Sequence, residues 1–126
     1  MVCHPDPTDA LGCAQAIARE RATTLCGPPT FLRLYTRNKH IHPTMLESLR
    51  IVLAGAERLD RDVREAFALK FHKPIYGGYG TTETAPVASC NLPDRLHTHD
   101  CGVQIGHKPG TVACPYREPA SVSSIR

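Results

Sequence analysis

Residues 50–76 restrict the fold of this chain more than any other stretch, because they read strand, helix, strand. Arg50-Ile51-Val52-Leu53-Ala54-Gly55-Ala56 is a continuous apolar run of the kind found in strands covered on both faces, and it ends in a glycine turn. Asp60 then stands where a helix cap belongs. Val63, Ala66, Phe67 and Phe71 follow at helical spacing, with Arg61, Asp62, Arg64 and Glu65 on the outer face. Lys70 and Lys73 sit near the negative end of that helix, where cations are favoured. Pro74-Ile75-Tyr76 opens the next strand. The unit is βαβ, which predicts parallel strands, a right-handed crossover and an α/β fold.

Open α/β sheets hold ligands beyond the carboxyl ends of their strands. Both strands of the unit run into glycine turns, Gly55-Ala56-Glu57 and Gly77-Gly78-Tyr79-Gly80, so one ligand could touch both. The second turn continues into Thr81-Thr82-Glu83-Thr84-Ala85-Pro86. Glycine lets backbone approach a ligand closely. The Thr82 hydroxyl can donate to an anionic oxygen, and the Glu83 carboxylate suits a hard cation such as Mg²⁺. Tyr79 offers a flat face to a base. The local chemistry is that of a phosphate-and-metal turn; the bland alternative is a glycine hairpin with a chance Thr-Glu pair.

The remaining chain supplies more of the same alternation. Pro5-Asp6-Pro7-Thr8-Asp9 is a stiff opening, with Thr8 or Asp9 capping a helix whose Leu11, Ala14, Ile17 and Ala18 share a face. Ala22-Thr23-Thr24-Leu25-Cys26 is a β-prone run, expected as a buried strand, that stops at Gly27-Pro28-Pro29. Thr30 is placed to cap a second helix with Phe31, Leu34 and Tyr35 on one face. A short amphipathic piece from residue 45 to 49 leads into the central run. Val87-Ala88-Ser89-Cys90 is a further strand candidate.

Composition sets the outer limits. A chain of 126 residues, 41% hydrophobic and 21% charged, can bury one modest core and is expected to be one domain or part of one. No apolar run approaches bilayer length, and the first residues lack a signal-peptide pattern, so the expected address is cytoplasmic. A net charge of +3, with basic residues scattered among acids, argues against a nucleic-acid partner. Six cysteines without a CxxC pair read as reduced thiols. Cys90, His97, His99 and Cys101 are zinc-type ligands at poor spacing, better read as a polar loop. Arg58, Lys70 and Lys73 read as solvated or dipole-complementing charges, and Phe31, Tyr35, Phe67 and Phe71 as core.

Four motifs in register carry a resemblance. Gly78-Tyr79-Gly80-Thr81-Thr82-Glu83 resembles the Y-G-x-T-E signature of the adenylate-forming, or AMP-binding, superfamily, which includes acyl-CoA synthetases, luciferases and adenylation domains of peptide synthetases. Gly27-Pro28-Pro29-Thr30-Phe31-Leu32, Leu53-Ala54-Gly55-Ala56-Glu57-Arg58-Leu59 and Lys108-Pro109-Gly110-Thr111-Val112 resemble its G-x-P-T-x-L, G-A-E and K-P-G-T-V segments. The phrasing is most similar to acyl-[acyl-carrier-protein] synthetases, in bacteria often fused to a 2-acylglycerophosphoethanolamine acyltransferase. The resemblance covers residues 4–112, a central slice of the family's large N-terminal domain.

The resemblance implies ATP or AMP as ligand and Mg²⁺ as cofactor. Tyr79 would stack on adenine, between Gly78 and Gly80, and the Gly55-Ala56-Glu57 backbone would line the other side of the base. Thr81 would lie along the nucleotide. Thr82 would hydrogen-bond the α-phosphate and Glu83 would bind Mg²⁺, these two being the catalytic candidates. The implied reaction activates a fatty acid as acyl-AMP and passes the acyl group to a thiol, of acyl carrier protein or, alternatively, of CoA. A full-length relative would be cytoplasmic or associated with the inner membrane.

Departures mark the limits of the match. The family's Ser/Thr/Gly-rich phosphate loop, ribose-binding Asp, hinge and catalytic Lys do not occur in these 126 residues. Gly77 stands where the family usually has Asn, Asp or Glu. Residues 1–112 are therefore expected to be a partial adenylation domain that is inactive alone. Residues 113–126 are expected to be a divergent tail from a frameshift or a truncated gene model. The competing reading from another class is a non-catalytic nucleotide-binding or interaction module from a decayed gene.

Overall fold

Four strands form the main sheet in the order β1-β2-β3-β4: Thr24–Gly27, Ile51–Ala54, Ile75–Tyr79 and Ser89–Cys90. The computed structural model describes residues 2–84, 88–93, 95–96 and 103–104. β1 pairs with β2 and β2 with β3 in parallel, while β4 returns antiparallel along β3. Helices α1 (Ala10–Glu20), α2 (Pro29–Arg37) and α3 (Arg61–Phe71) and short 3-10 turns at Pro43–Leu46 and Thr82–Thr84 complete this part. β5 (Arg95–Leu96) and β6 (Val103–Gln104) pair antiparallel in a second, two-stranded sheet. The predicted α/β class, with mostly parallel strands around a βαβ unit, is the one observed.

Register explains where the core sits. Leu25, Val52 and Ile75 are neighbours across the three parallel strands, and side chains alternate between faces along a strand. Their face meets Leu32 and Tyr35 of α2 and Val63, Phe67 and Phe71 of α3 in one cluster. Phe67 is fully buried, its ring centroid 4.7 Å from that of Phe71. On the opposite face Ile51 and Leu53 are only half-buried, so β2 is not covered equally on both sides as its apolar run suggested. A run that is apolar at every position carries no period from which to count covered faces.

Several helix details differ from the pattern-based expectation. The Asp9 carboxylate does cap α1, accepting from the Gly12 N–H at 2.9 Å, but the inner face is Ala10, Ala14 and Ile17 while Ala18 is exposed. β1 lies at the sheet edge with Thr24 and Cys26 exposed, so it is not the buried strand expected. Leu32 is the deepest residue of α2, whereas Phe31 and Leu34 are half-buried. Burial first, and the neighbouring Cys13 thiol next, raise the pKa of the Tyr35 phenol above its ordinary value.

Lys70 lies in the last turn of α3 and Lys73 just beyond it, but both place their ammonium groups on carbonyls of other elements. The Lys70 ammonium donates to the Tyr35, Thr36 and Asn38 carbonyls at 3.0, 3.3 and 2.7 Å, closing the C-terminal end of α2 instead of α3. Lys73 donates to the Glu47 and Leu49 carbonyls at 3.1 and 2.6 Å, tying the segment before β2 to the segment before β3. Orphan carbonyls attract cations whichever element supplies them, and burial of Lys70 lowers its pKa.

Cys3, Cys13, Cys26 and Cys90 are free thiols. Cys101, Cys114, His97, His99 and the tail at 113–126 lie outside the described residues. Among the described residues no three His, Cys, Asp or Glu side chains gather as a metal site, and no helix is long and apolar enough to cross a membrane.

Candidate functional site

Because β2 and β3 are parallel neighbours, their carboxyl ends open on the same edge of the sheet. A groove of about 960 Å³ lies there, lined by Ala54, Ala56 and Glu57 from the first turn and by residues 77–80 from the second. Arg58, Asp60, Arg61 and Arg64, just before and at the start of α3, also line it. The two glycine turns singled out in the sequence thus converge on one space.

The first wall is held by bonds to another helix. Ala56 adopts φ 67, the left-handed region, which costs a residue with a Cβ about 1–2 kcal/mol. Gly55, by contrast, has open space where a Cβ would stand, so the unusual backbone falls on the alanine and not on the glycine. The Glu57 carboxylate accepts a short hydrogen bond from the Thr30 hydroxyl in the first turn of α2. The Asp60 carboxylate pairs with the Arg33 guanidinium at 3.2 Å. Thr30 and Asp60 were expected as helix caps. Pro28 occupies the N-cap of α2 instead, and Asp60, at the N-cap position of α3, makes no side-chain capping bond. Cross-element partners have claimed both side chains.

The second wall is a strand where a turn was expected. β3 continues through Tyr79: Gly77 pairs with Ala54, and Gly78 pairs with Cys90. A Cβ at Gly78 would meet only ordinary contacts near 3.7 Å, so the sheet itself does not require glycine there. Glycine inside a strand commonly marks a place where a ligand or another backbone comes close. Tyr79 is 52% exposed, an unusual level for a ring of its size at the end of a central strand. Its carbonyl accepts from the Ala88 N–H at 2.9 Å, which fixes the base of the loop that follows.

Thr82 and Glu83 sit in the short 3-10 turn after that strand and are exposed, as is Thr81. They follow the groove's last lining residue, Gly80, and are not part of its lining. The Glu83 backbone N–H first, and the Thr81 hydroxyl second, lower the pKa of the Glu83 carboxyl. It is therefore ionised at neutral pH, as a cation ligand must be.

The structure brings Ala56, Glu57, Gly78, Tyr79 and Gly80 together, with Gly55 just behind the first wall and Thr81, Thr82 and Glu83 just beyond the second. Sequence reasoning missed Thr30 and Arg33, which brace the first wall, and Arg61 and Arg64, which line the groove. A second cavity of about 720 Å³ lies between α1, β1 and α2, lined by Cys13, Ile17, Leu25 and Phe31 among others, and none of the candidate residues touches it.

A family profile described as AMP-binding enzyme matches residues 1–114. Human mitochondrial acyl-coenzyme A synthetase ACSM5 is 33% identical over 125 residues, which is 94% of this chain and 21% of that protein. A 4-coumarate--CoA ligase of Pinus taeda is 28% identical over 99 residues, 74% of this chain and 18% of that protein. The solved anthranilate CoA ligase AuaEII in complex with anthranoyl-AMP superposes with a TM-score of 0.74 at 21% identity, covering 90% of this chain and 20% of that one. A benzoate CoA ligase from Burkholderia xenovorans LB400 gives 0.69 at 21% identity, covering 87% and 20%. The chain spans about a fifth of the length of these relatives. With its profile match running through both walls of the groove, the chain belongs to the AMP-binding enzyme family.

Proposed function

We propose that this chain supplies the adenine-binding part of an ATP-dependent acid–thiol ligase, with CoA as the thiol acceptor. The observation that carries the reading is the groove: Tyr79 offers a half-exposed ring on one side, and the Ala56-Glu57 backbone stands on the other. Adenine fits between a flat aromatic face and a peptide plane, and glycines at 77, 78 and 80 keep side chains out of its way. On this reading Gly55, Ala56 and Glu57 line one face of the base and Gly78, Tyr79, Gly80 and Thr81 the other.

Thr82 then donates to the α-phosphate and Glu83 contributes one carboxylate oxygen to Mg²⁺. The exposed, ionised Glu83 suits that ion, which keeps several waters and takes few protein carboxylates. Bound Mg²⁺ would neutralise phosphate charge. The reaction class is attack of a carboxylate oxygen on the α-phosphorus, with the bond to pyrophosphate breaking, followed by attack of a thiolate on the acyl carbonyl with AMP leaving. What these residues contribute is positioning and charge neutralisation.

CoA is favoured over acyl carrier protein because the relatives named above are CoA ligases and synthetases. The acyl carrier protein acceptor rests on the sequence phrases alone. The acid substrate is drawn from the acyl and aromatic acids that such names span. Because the phosphate loop and the catalytic Lys of the family pattern do not occur in the 126 residues, the chain by itself is expected to bind ATP without turning it over.

Isothermal titration with ATP and Mg²⁺ tests the reading. Binding should be measurable and should weaken by about tenfold or more in Tyr79→Ala, given ~1–3 kcal/mol for base–aromatic stacking. Equal binding by wild type and Tyr79→Ala, or robust acid-dependent pyrophosphate release by the 126-residue chain, would contradict it.

A further inference from the structure

We infer that Thr30 and Glu57 form a positioning clamp that holds the left-handed Ala56 and with it the first wall of the groove; the nucleotide consequence rests on the reading above. Three observations meet at this point. Ala56 is held at φ 67 although a β-carbon disfavours that conformation. The next residue, Glu57, places its carboxylate on the Thr30 hydroxyl, 27 positions away in sequence. The donor sits on a rigid mount, because Pro28 and Pro29 fix the backbone that begins α2.

Strained backbone persists only where its surroundings over-determine it, and such residues cluster where ligands bind. No glycine relieves the strain here: Gly55 lies one position too early, and its own φ is ordinary. The hydrogen bond from Thr30 to the neighbouring carboxylate is charge-assisted, which makes it stronger than a neutral one, and it fixes the residue that follows Ala56 although both side chains are exposed. The Asp60–Arg33 pair, three residues further on, ties the same loop to the same helix. Two anchors on α2 thus bracket the segment from Glu57 to Asp60, and Ala56 lies just outside it, against the ligand space.

The clamp assigns Glu57 a role through its side chain that the resemblance gave only to its backbone. It also assigns Thr30, which lines neither cavity, an effect on the site. Losing the bond should let Ala56 relax out of the left-handed region and move the peptide that faces the base.

Amide relaxation by NMR on the full 126-residue chain tests this directly. In wild type the order parameters at Ala56 and Glu57 should be ~0.85, and in Thr30→Val they should fall below ~0.6. Thr30→Ser, which keeps the hydroxyl, should restore them, and Glu57→Ala should reproduce the loss; unchanged signals from Phe67 and Ile75 show that the core is intact. ATP affinity should fall about fivefold in Thr30→Val and recover in Thr30→Ser. Rigid amides in Thr30→Val, or mobile ones already in wild type, would overturn the clamp. So would an affinity loss in Thr30→Val at unchanged order parameters. If wild type binds no ATP, the nucleotide reading falls, while the relaxation data still judge the clamp on their own.

Discussion

The two walls of the groove end neighbouring parallel strands, yet they are built in opposite ways. The first, after β2, carries a left-handed alanine and is tied to α2 through Glu57–Thr30 and Asp60–Arg33. The second, after β3, is ordinary extended strand through Tyr79, then a short exposed turn whose Glu83 is steadied by its own backbone and by Thr81. One wall is preset by long-range contacts; the other presents side chains and leaves room. The difference teaches which wall depends on the rest of the molecule. Mutations in α2 should disturb the first wall and leave the second in place, whereas loss of the core under both strands should disturb the two together.

The strongest way to break this comparison is to remove the base both walls share. Phe67→Ala empties a fully buried site on α3 and should destabilise the chain by about 3–5 kcal/mol, read as a shift in the urea midpoint. Both walls should then fail together. A loss below about 1 kcal/mol would mean that α3 is not the common support.

Lys70→Met separates the walls. It removes three contacts to carbonyls at the C-terminal end of α2, the helix that anchors the first wall at its other end. The expected cost is about 1–2 kcal/mol, the discounted value for a partly exposed charged donor. Amide exchange should quicken from Tyr35 to Asn38, while the amides of β3 keep their protection. Equal loosening of β3 would erase the distinction between the walls.

The expected asymmetry explains what could and could not be read from the sequence. Apolar runs and helical spacing reveal local order, so the βαβ unit, α1 and the convergence of two strand ends were legible. Partners distant in sequence leave no such mark. Nothing near Lys70 says that it closes α2, and nothing near Asp60 says that its carboxylate goes to Arg33 instead of its own helix. A hydroxyl at Thr30 after two prolines reads as a cap, because capping is the local use of that residue type; Glu57 is the competitor that the sequence does not place. The extent of β3 was misjudged for a related reason. Glycines at 77 and 78 look like a turn until β2 is there to pair with Gly77 and β4 with Gly78.

The smallest effect concerns the second wall alone. Glu83 has a lowered folded pKa, so its contribution to stability is present above the unfolded value near 4.5 and is lost as pH falls through the lower folded value. Thr81→Val removes one of the two donors that lower it. The titration midpoint of Glu83, followed by carboxyl ¹³C NMR, should move up towards the ordinary glutamate value. A midpoint that stays put would mean that the backbone N–H alone holds the carboxylate.

The central claim is that one nucleotide occupies the space between the two walls. Titration of the 126-residue chain with ATP and Mg²⁺, followed residue by residue through amide and aromatic NMR shifts, addresses it most directly. The predicted result is a single set of shifts at Ala56, Glu57, Gly78, Tyr79 and Gly80, with Cys13, Ile17 and Leu25 around the other cavity unmoved. Shifts confined to Cys13, Ile17 and Leu25, or none at Tyr79 at saturating ATP, would contradict it.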